Sequence, residues 1–521
     1  MTDRNSFGGK RSVRYVRKQV FFSAAMLLTI LGLGPALGLL RAQHVSYSFT
    51  KLETLSDPAK LVPPPPGPNF HINDFEPGAI NNRGGVIYGT DLGTSADPAL
   101  WSTTFFGEGV FVRSRLSDER GDEDARSDRA QVERGHQGEL DIGHSTGNAP
   151  GGGTFDVLLQ GQTSLNDEGD GAYSFTLSPL GTPVTVVGFT LGFLNSGIFR
   201  YSHESGKVTP VVIPGTPAPG GGTFPGVGFN AELNNRGDLV FSGFVGNDLG
   251  IFKADKAGNI TSVVSPGDPM PGGTTFISGG NSGPWINNRG DVAFTATVSG
   301  DPTGRSSIYV KEASTGQIIS IAHGGDPAPR GGTFRSVFSP VLNDSGDLVF
   351  QGDLSPGPPS ATFTELGVYF RSKGTTIAIA RPGDPMPGGG HFVTASFFVA
   401  FQVHVNNERE VGFSALLDTD DNHDGSPDTG LYVWSHGVLH VVARTGTVIP
   451  GLGTIRHLAT FVTGFPPPPV NTPNSGATNN DRGQLFFAAT LTDGRGVLLV
   501  ATPTEGDDDD SRTVAVEPSL Q

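Results

Sequence analysis

The sequence predicts an all-β chain folded as a β-propeller, with seven four-stranded blades closed by the N-terminal strand. Three observations carry that expectation. One sentence of residues is written seven times, turn residues recur at fixed places within it, and the last copy lacks a strand that the N-terminus can supply. Each copy reads approximately G-D-P-x-P-G-G-G-T-F, then N-x-x-G-D-h-h-F with h apolar, then G-h-F/Y. The asparagine opening the second phrase falls at Asn81, Asn166, Asn234, Asn287, Asn343, Asn406 and Asn480. Self-similarity at tens of residues marks a fold in which one unit cannot bury its apolar face alone.

The copy at 215–266 shows the elements in order. Residues 223–233 read as a strand ending at Asn234-Asn235-Arg236-Gly237. There Asn accepts backbone N–H bonds and Gly supplies positive φ, as a hairpin with a bulge requires. The pairs Asn287/Gly290 and Asn343/Gly346 repeat the device. Residues 238–244, 250–254 and 260–264 read as three further strands, so each unit offers a four-stranded antiparallel blade. Successive asparagines lie 85, 68, 53, 56, 63 and 74 residues apart. The shortest period defines the bare blade and the excess reads as loop insertion. A β-solenoid, whose coils stack in register, needs a shorter and more regular coil. The seventh copy ends on its third strand near 496–501, and residues 47–55 resemble the missing fourth. Pairing them removes exposed sheet edges.

Gly (76) and Pro (40) recur between apolar runs, so they read as turns rather than disorder, and most of the 35 Phe sit at repeated, core-like positions. The first 43 residues hold seven Lys/Arg and one Asp, leaving 28 basic against 50 acidic groups in the remainder. That surface argues against nucleic acid, whose affinity comes from basic contacts to phosphate. Lys10, Arg11, Arg14, Arg17 and Lys18 precede an apolar stretch at 20–40. Residues 1–42 therefore read as a signal peptide, with a signal anchor as the alternative. The expectation is an exported protein (secreted, periplasmic or cell-surface) and a monomer, with no membrane contact beyond that segment. The propeller is expected over 46–502 and an acidic disordered tail over 503–521. The run from Asp118 to Asp141 reads as a mobile solvated loop. The absence of Cys excludes disulfides, zinc–thiolate sites and thiol catalysis.

These units resemble a family of exported bacterial tandem-repeat proteins described by an N-x-x-G-x-x-A-F repeat and a variable anchor. The clearest copies are Ile286-Asn287-Asn288-Arg289-Gly290-Asp291-Val292-Ala293-Phe294 and Gly325-Asp326-Pro327-Ala328-Pro329-Arg330-Gly331-Gly332-Thr333-Phe334. The resemblance implies export and a repeat fold of uncharacterised role. It brings no catalytic residues.

The sharpest local signal is Asp420, Asn422, Asp424, Ser426 and Asp428, spaced as positions one, three, five, seven and nine of an EF-hand-like loop, with Gly425 at the turn. It lacks the bidentate Glu at position twelve, so a weak structural Ca²⁺ site is expected. Asp268, Asp326 and Asp384 of the G-D-P turns are expected to cap their own turns, a role that Thr216 in the third copy fills equally well. In the sixth copy Arg409 replaces the turn Gly, which forces either another turn or a non-Gly residue at positive φ. His436 and His440 near Trp434 read as surface or packing. No H-E-x-x-H, G-x-S-x-G or P-loop pattern occurs. The functional expectation is a non-enzymatic binding or scaffold module for an unidentified protein or polysaccharide. The alternative is a carbohydrate-active hydrolase or lyase with carboxylates near the ring axis, where a pair about 5–10 Å apart is the mark of hydrolysis.

Overall fold

The structure is a computed structural model describing residues 45–504. It leaves out 56, 58, 60, 62–69, 73, 95–104, 115–138, 160–162, 187–188, 280–281, 302–305, 355–365, 396–402 and 459–477. The export segment, the charged run up to 138 and the tail from 505 lie outside the described residues.

The chain is an all-β propeller. Its described strands form seven antiparallel sheets, each centred on one copy of the repeat. In the third sheet Gly226–Leu233, Leu239–Val245, Asp248–Ala254 and Ile260–Val264 pair in succession. In the seventh, Leu485–Leu491 pairs with Gly496–Thr504, and that strand pairs on its other edge with Ser46–Thr54, Phe49 opposite Ala501. The strand Gly496–Thr504 runs two residues past the expected boundary at 502.

The three phrases of the repeat meet as aromatic rings. Rings of the second and third phrases stack in six sheets: Tyr88/Phe111, Tyr173/Phe199, Phe241/Phe252, Phe294/Tyr309, Phe350/Tyr369 and Phe413/Tyr432. The first-phrase Phe then meets the third-phrase ring edge-on, as in Phe224/Phe252 at 4.9 Å and Phe334/Tyr369 at 4.8 Å. Edge-on contact brings the positive ring edge to the negative face. The glycine of G-h-F/Y is needed because the ring folds back over it: a Cβ on Gly430 would lie 2.4 Å from the Tyr432 ring.

The insertion in the second copy carries a hairpin that the repeat does not foretell. Its strands Pro183–Val186 and Phe189–Leu194 pair with each other, and the second adds to Gly226–Leu233 of the third sheet. The charged run also ends earlier than its composition suggests. Leu140–His144 is a strand, with Glu139 and Asp141 buried. Glu139 accepts a hydrogen bond from the Tyr88 hydroxyl, and Asp141 lies 2.6 Å from His144 Nδ1. These partners replace the water that the sequence assigned to both acids.

The repeated asparagine ties the sheets together. Asn234 Oδ1 accepts the N–H groups of Arg236 at 3.0 Å and Asp238 at 2.9 Å, closing the turn with Gly237 at φ 80°. Asn234 Nδ2 donates instead to the backbone carbonyl of Asn287, in the next sheet, at 3.0 Å. The pattern continues from Asn287 to Asn343, Asn406, Asn480, Asn81, Asn166 and back to Asn234. All of these asparagines are buried.

The turn glycines are less uniform than the asparagines. Gly290 and Gly346 take φ 90° and 82°, and the N–H of each donates to the carbonyl of its own asparagine, Gly346 to Asn343 at 3.1 Å. Gly237 and Gly290 are buried, whereas Gly346 is exposed. The reason lies in what covers them. Lys256 lies over Gly237, and Arg236 with Ala313 over Gly290, whereas only the guanidinium end of Arg289 comes near Gly346. Gly346 therefore serves its turn through backbone conformation alone. In the sixth turn Arg409 takes φ 67° without a glycine. Its side chain reaches Asp347 of the preceding turn at 3.0 Å and lies over Phe370.

Asn287→Ala removes the Oδ1 that accepts two turn N–H groups and the amide that donates to Asp291 and to the Asn343 carbonyl. It is expected to cost about 2–4 kcal/mol of unfolding free energy, read from denaturant melts. Asn287→Asp is expected to lose a similar amount at neutral pH, since it sets a carboxylate oxygen against the Asn343 carbonyl.

Candidate functional site: the axial cavity

The residue after each ladder asparagine builds a second ring: Asn82, Asp167, Asn235, Asn288, Asp344, Asn407 and Asp481. The backbone N–H of each meets Oδ1 of the next at 2.7–2.8 Å, and the last returns to Asn82. Each Asp Oδ2 takes amide donors from both sides. Asp167 accepts from Asn82 and Asn235, Asp344 from Asn288 and Asn407, and Asp481 from Asn407 and Asn82.

The two asparagine layers line a cavity of about 140 Å³, open to solvent, on the ring axis. Its remaining character comes from one variable repeat position, two residues before the ladder asparagine. That position is Ala79, Ser164, Glu232, Trp285, Val341, His404 and Thr478 in turn, of which all but Ser164 and Val341 line the cavity.

Glu232 is buried, with Oε1 accepting from the Ser164 hydroxyl at 3.0 Å, while Ser164 Oγ accepts the Leu233 N–H at 2.9 Å. Burial pushes its carboxyl up to about 8, against the opposing effect of the Ser164 bond. Glu232 is therefore mainly the neutral acid at pH 7. On the other side His404 Nδ1 lies 2.5 Å from Asn479 Oδ1. The Asn479 amide donates to the Glu410 carbonyl at 3.1 Å, which fixes Oδ1 as an acceptor. The network thus assigns the proton to Nδ1 and leaves Nε2 a lone pair. Burial holds His404 below the ordinary imidazole range, the Asn479 bond opposing. Trp285 meets the His404 ring edge-on at 5.1 Å and donates from Nε1 to the Leu342 carbonyl. Thr163 and Thr478 also line the cavity, but their hydroxyls are sealed from solvent and have no hydrogen-bond partner.

Of the residues singled out by the sequence, Asn234, Asn287 and Asn343 line this cavity, and the acidic ones lie elsewhere. Asp268, Asp326 and Asp384 each accept the N–H three residues upstream at 2.8 Å, and Thr216 does the same at 3.0 Å. In the acidic loop, Asp420 accepts the N–H groups of Asp424 and Gly425. The Asn422 amide donates to Asp424, and Asp424 Oδ1 accepts the Ser426 N–H. Asp424 Oδ2 lies 2.9 Å from both Arg456 and His457. Asp428 is buried and accepts from Thr419 at 2.6 Å and from the Asp421 N–H at 3.0 Å. Among the described residues no three His, Asp or Glu side chains gather as a metal-holding group. Glu232, His404 and Trp285 were missed because each is a lone residue in a different repeat. Aligning the repeats on their asparagines is the signal that finds them.

A second acidic cluster lies between the first and second sheets. The buried Glu108 accepts the Leu158 N–H, and its carboxyl is pushed well up by burial and by Glu76, Asp91 and Asp156. Burial also raises Asp91, to about 6.

In the unfolded chain Glu232 ionises near 4.5 and in the folded chain near 8. Between these values the folded state holds a proton that the unfolded state releases, so stability falls as pH climbs through that window. Glu232→Gln is expected to melt higher than the parent, by a margin that widens from pH 5 to pH 8 and then levels. Thermal melts across pH check this.

A family model matches residues 117–503, and the chain belongs to that family, described as a family of unknown function (DUF7453). No curated relative matches the chain. The β-propeller domain of the Trilobed protease from Pyrococcus furiosus is similar at 8% identity and TM-score 0.41, over 82% of this chain and 94% of that one. An oligogalacturonate lyase in complex with manganese is similar at 13% identity and TM-score 0.42, over 88% and 98%. A puromycin-hydrolyzing peptidase of Mycobacterium tuberculosis is similar at 12% identity and TM-score 0.42, over 90% and 57%. At these values the likeness carries no argument about activity.

Proposed function

We propose that this member of a family of unknown function is an exported binding module, a closed ring of seven blades that takes a glycan ligand at its axial cavity. One observation carries the reading: the cavity presents polar groups that the fold does not use. His404 Nε2 and Glu232 Oε2 have no partner among the described residues. Buried polar atoms are costly unless something bonds them, so such a set is suited to a polar ligand. Pairing of Ser46–Thr54 with Gly496–Thr504 supports the closed ring, as does the return of both asparagine rings to their starting residue. Export rests on the basic-then-apolar order of the first 40 residues.

The mouth carboxylates favour binding over hydrolysis. Asp167, Asp344 and Asp481 occupy one repeat position and hold their neighbours, whereas hydrolysis needs a carboxylate pair flanking the bond to be cut. A glycan array probed with the purified chain, followed by cleavage assays on whatever it retains, tests the reading. Retention without cleavage is the expected result. An empty array, or turnover of a retained glycan, overturns it.

For the acidic loop we propose a weak structural Ca²⁺ site, in which the ion competes with Arg456 and His457 for Asp424. A dissociation constant of roughly 10⁻⁴–10⁻³ M follows from the missing twelfth-position Glu. Millimolar Ca²⁺ is then expected to raise the melting temperature of the parent over that in chelator, and to leave Asp424→Ala unchanged. Equal melting temperatures for the parent in both conditions reject the site.

A further inference from the structure

We propose that the ring of amides and carboxylates at the cavity mouth is a receptor for a primary ammonium group, so that the glycan is one bearing free amino groups. This rests on the binding reading above and names the ligand class of the same site.

Hydrogen bonds fix the size of the opening. Asn82 Nδ2 lies 3.1 Å from Asp167 Oδ2 and 2.8 Å from Asp481 Oδ2, and Asn407 Nδ2 lies 3.1 Å from Oδ2 of both Asp481 and Asp344. Asn235 meets Asp167 at 2.6 Å and Asn288 meets Asp344 at 2.9 Å. The Asn235 N–H donates to Asn288 Oδ1 at 2.7 Å, which closes the ring. Seven side-chain atoms at hydrogen-bond spacing enclose an opening about 6.8 Å across between nuclei, so a group on the axis sits about 3.4 Å from each. The three Oδ2 atoms alternate with amides except across the Asn235–Asn288 pair, and so surround the axis in a nearly trigonal set.

Such an opening selects by size, charge and number of donors. A primary ammonium brings one positive charge and three N–H donors in a three-fold array, one for each carboxylate oxygen. Bonds between an ionised donor and an ionised acceptor are the stronger kind. Ca²⁺ and Mg²⁺ need oxygens at about 2.3–2.6 and 2.0–2.1 Å, closer than carboxylates held apart by their own amide donors can come. A neutral hydroxyl brings one donor and no charge, and an anion meets three like charges. Four arginines occupy the next turn position, and three of them pair with other carboxylates: Arg83 with Glu168, Arg236 with Asp238 and Arg289 with Asp291.

The unpartnered groups deeper in the cavity call for the same ligand. His404 Nε2 is an acceptor without a partner among the described residues. Glu232 is 8% exposed, and its Oε2 likewise has no partner among them. Unlike the Thr163 and Thr478 hydroxyls, this oxygen is not sealed from solvent, so it opens on the cavity that Glu232 lines. A cation on the axis favours the ionised form of Glu232, which turns a neutral acid into a further acceptor. Neither group has to touch the ammonium, since both make the axis favourable to positive charge.

Calorimetric titration of the purified chain in low salt at pH 6, where a sugar amine is protonated, tests the assignment. The probes are methylammonium, tetramethylammonium, K⁺, glucosamine, N-acetylglucosamine and glucose. Methylammonium is expected to bind at least about tenfold tighter than tetramethylammonium, which has the charge but no donor. Glucosamine should bind about tenfold tighter than N-acetylglucosamine or glucose. Asp481→Asn removes one acceptor and one charge, and should weaken methylammonium about tenfold. If that variant does not fold, the probe series on the parent decides. Tetramethylammonium or K⁺ binding as tightly as methylammonium, or glucose as tightly as glucosamine, overturns the proposal. So does methylammonium binding that a folded Asp481→Asn leaves unchanged, or an array that retains only glycans without free amino groups. Silence with every amine beside a positive glycan array overturns the ammonium receptor and leaves the binding reading intact. Silence in both removes both.

Discussion

The structure depends on one side chain used in two directions. An asparagine amide has an acceptor end and a donor end, and the repeat spends them on different tasks. The Oδ1 end closes a turn within its own sheet, as at Asn234, while the Nδ2 end reaches the carbonyl of the neighbouring asparagine. Aspartate would set a second acceptor against that carbonyl. Glutamine would place its amide a methylene too far away. Because all of these groups are buried, each lost bond leaves a partner that water does not reach. The geometry of the inner edge is thereby fixed while loop length is not, and spacings from 53 to 85 residues serve the same ring.

With the inner edge fixed by backbone and amide, the outward packing is fixed by aromatic rings. Stacked and edge-on contacts tie the first, second and third phrases of a copy into one cluster. The clusters continue between sheets, since Ala172 and Ile198 of the second sheet pack with Phe224, Phe241 and Phe252 of the third. The position two residues before the ladder asparagine is held less uniformly, since Val341 packs in the core while Glu232, Trp285 and His404 line the cavity. Ala, Ser, Glu, Trp, Val, His and Thr all occupy it, so chemistry can vary there at little cost to the fold.

The sequence carried the architecture because its governing contacts are local or periodic. Asn234 and Gly237 announce a turn within four residues, and the likeness of residues 47–55 to a fourth strand needs only a comparison of copies. What lies over such a turn is not local, and so Gly346 shares the conformation of Gly237 but not its burial. Nor did the sequence carry the cavity. Glu232, Trp285 and His404 are single residues whose meeting depends on the ring. Trp285 and His404 even belong to the fourth and sixth copies, and touch across the fifth. The acidic loop shows the converse limit. Its spacing is local and was read, but Arg456 and His457, which engage Asp424, come from a later strand. Likewise Glu139 and Asp141 look like solvated charge until Tyr88 and His144 are brought beside them.

The mouth of the cavity follows from arithmetic. A ring in which carboxylates alternate with amides lets every Asp take a donor from each side, and it closes without defect only for an even number of members. This ring has seven, so one pair of amides must be neighbours, and that pair is Asn235 and Asn288. Each spends one amide donor on an Asp, whereas Asn82 and Asn407 each serve two. Two adjacent amides at the defect thus differ from the rest of the rim, and Asn235 follows Glu232 by only three residues on the same inner edge. The defect therefore gives an otherwise repetitive rim a direction, set on the side where the cavity holds its neutral acid. Three carboxylates around such a mouth raise the electrostatic cost of admitting an anion. The same ring that holds the blades together thereby biases the site it surrounds against anionic ligands.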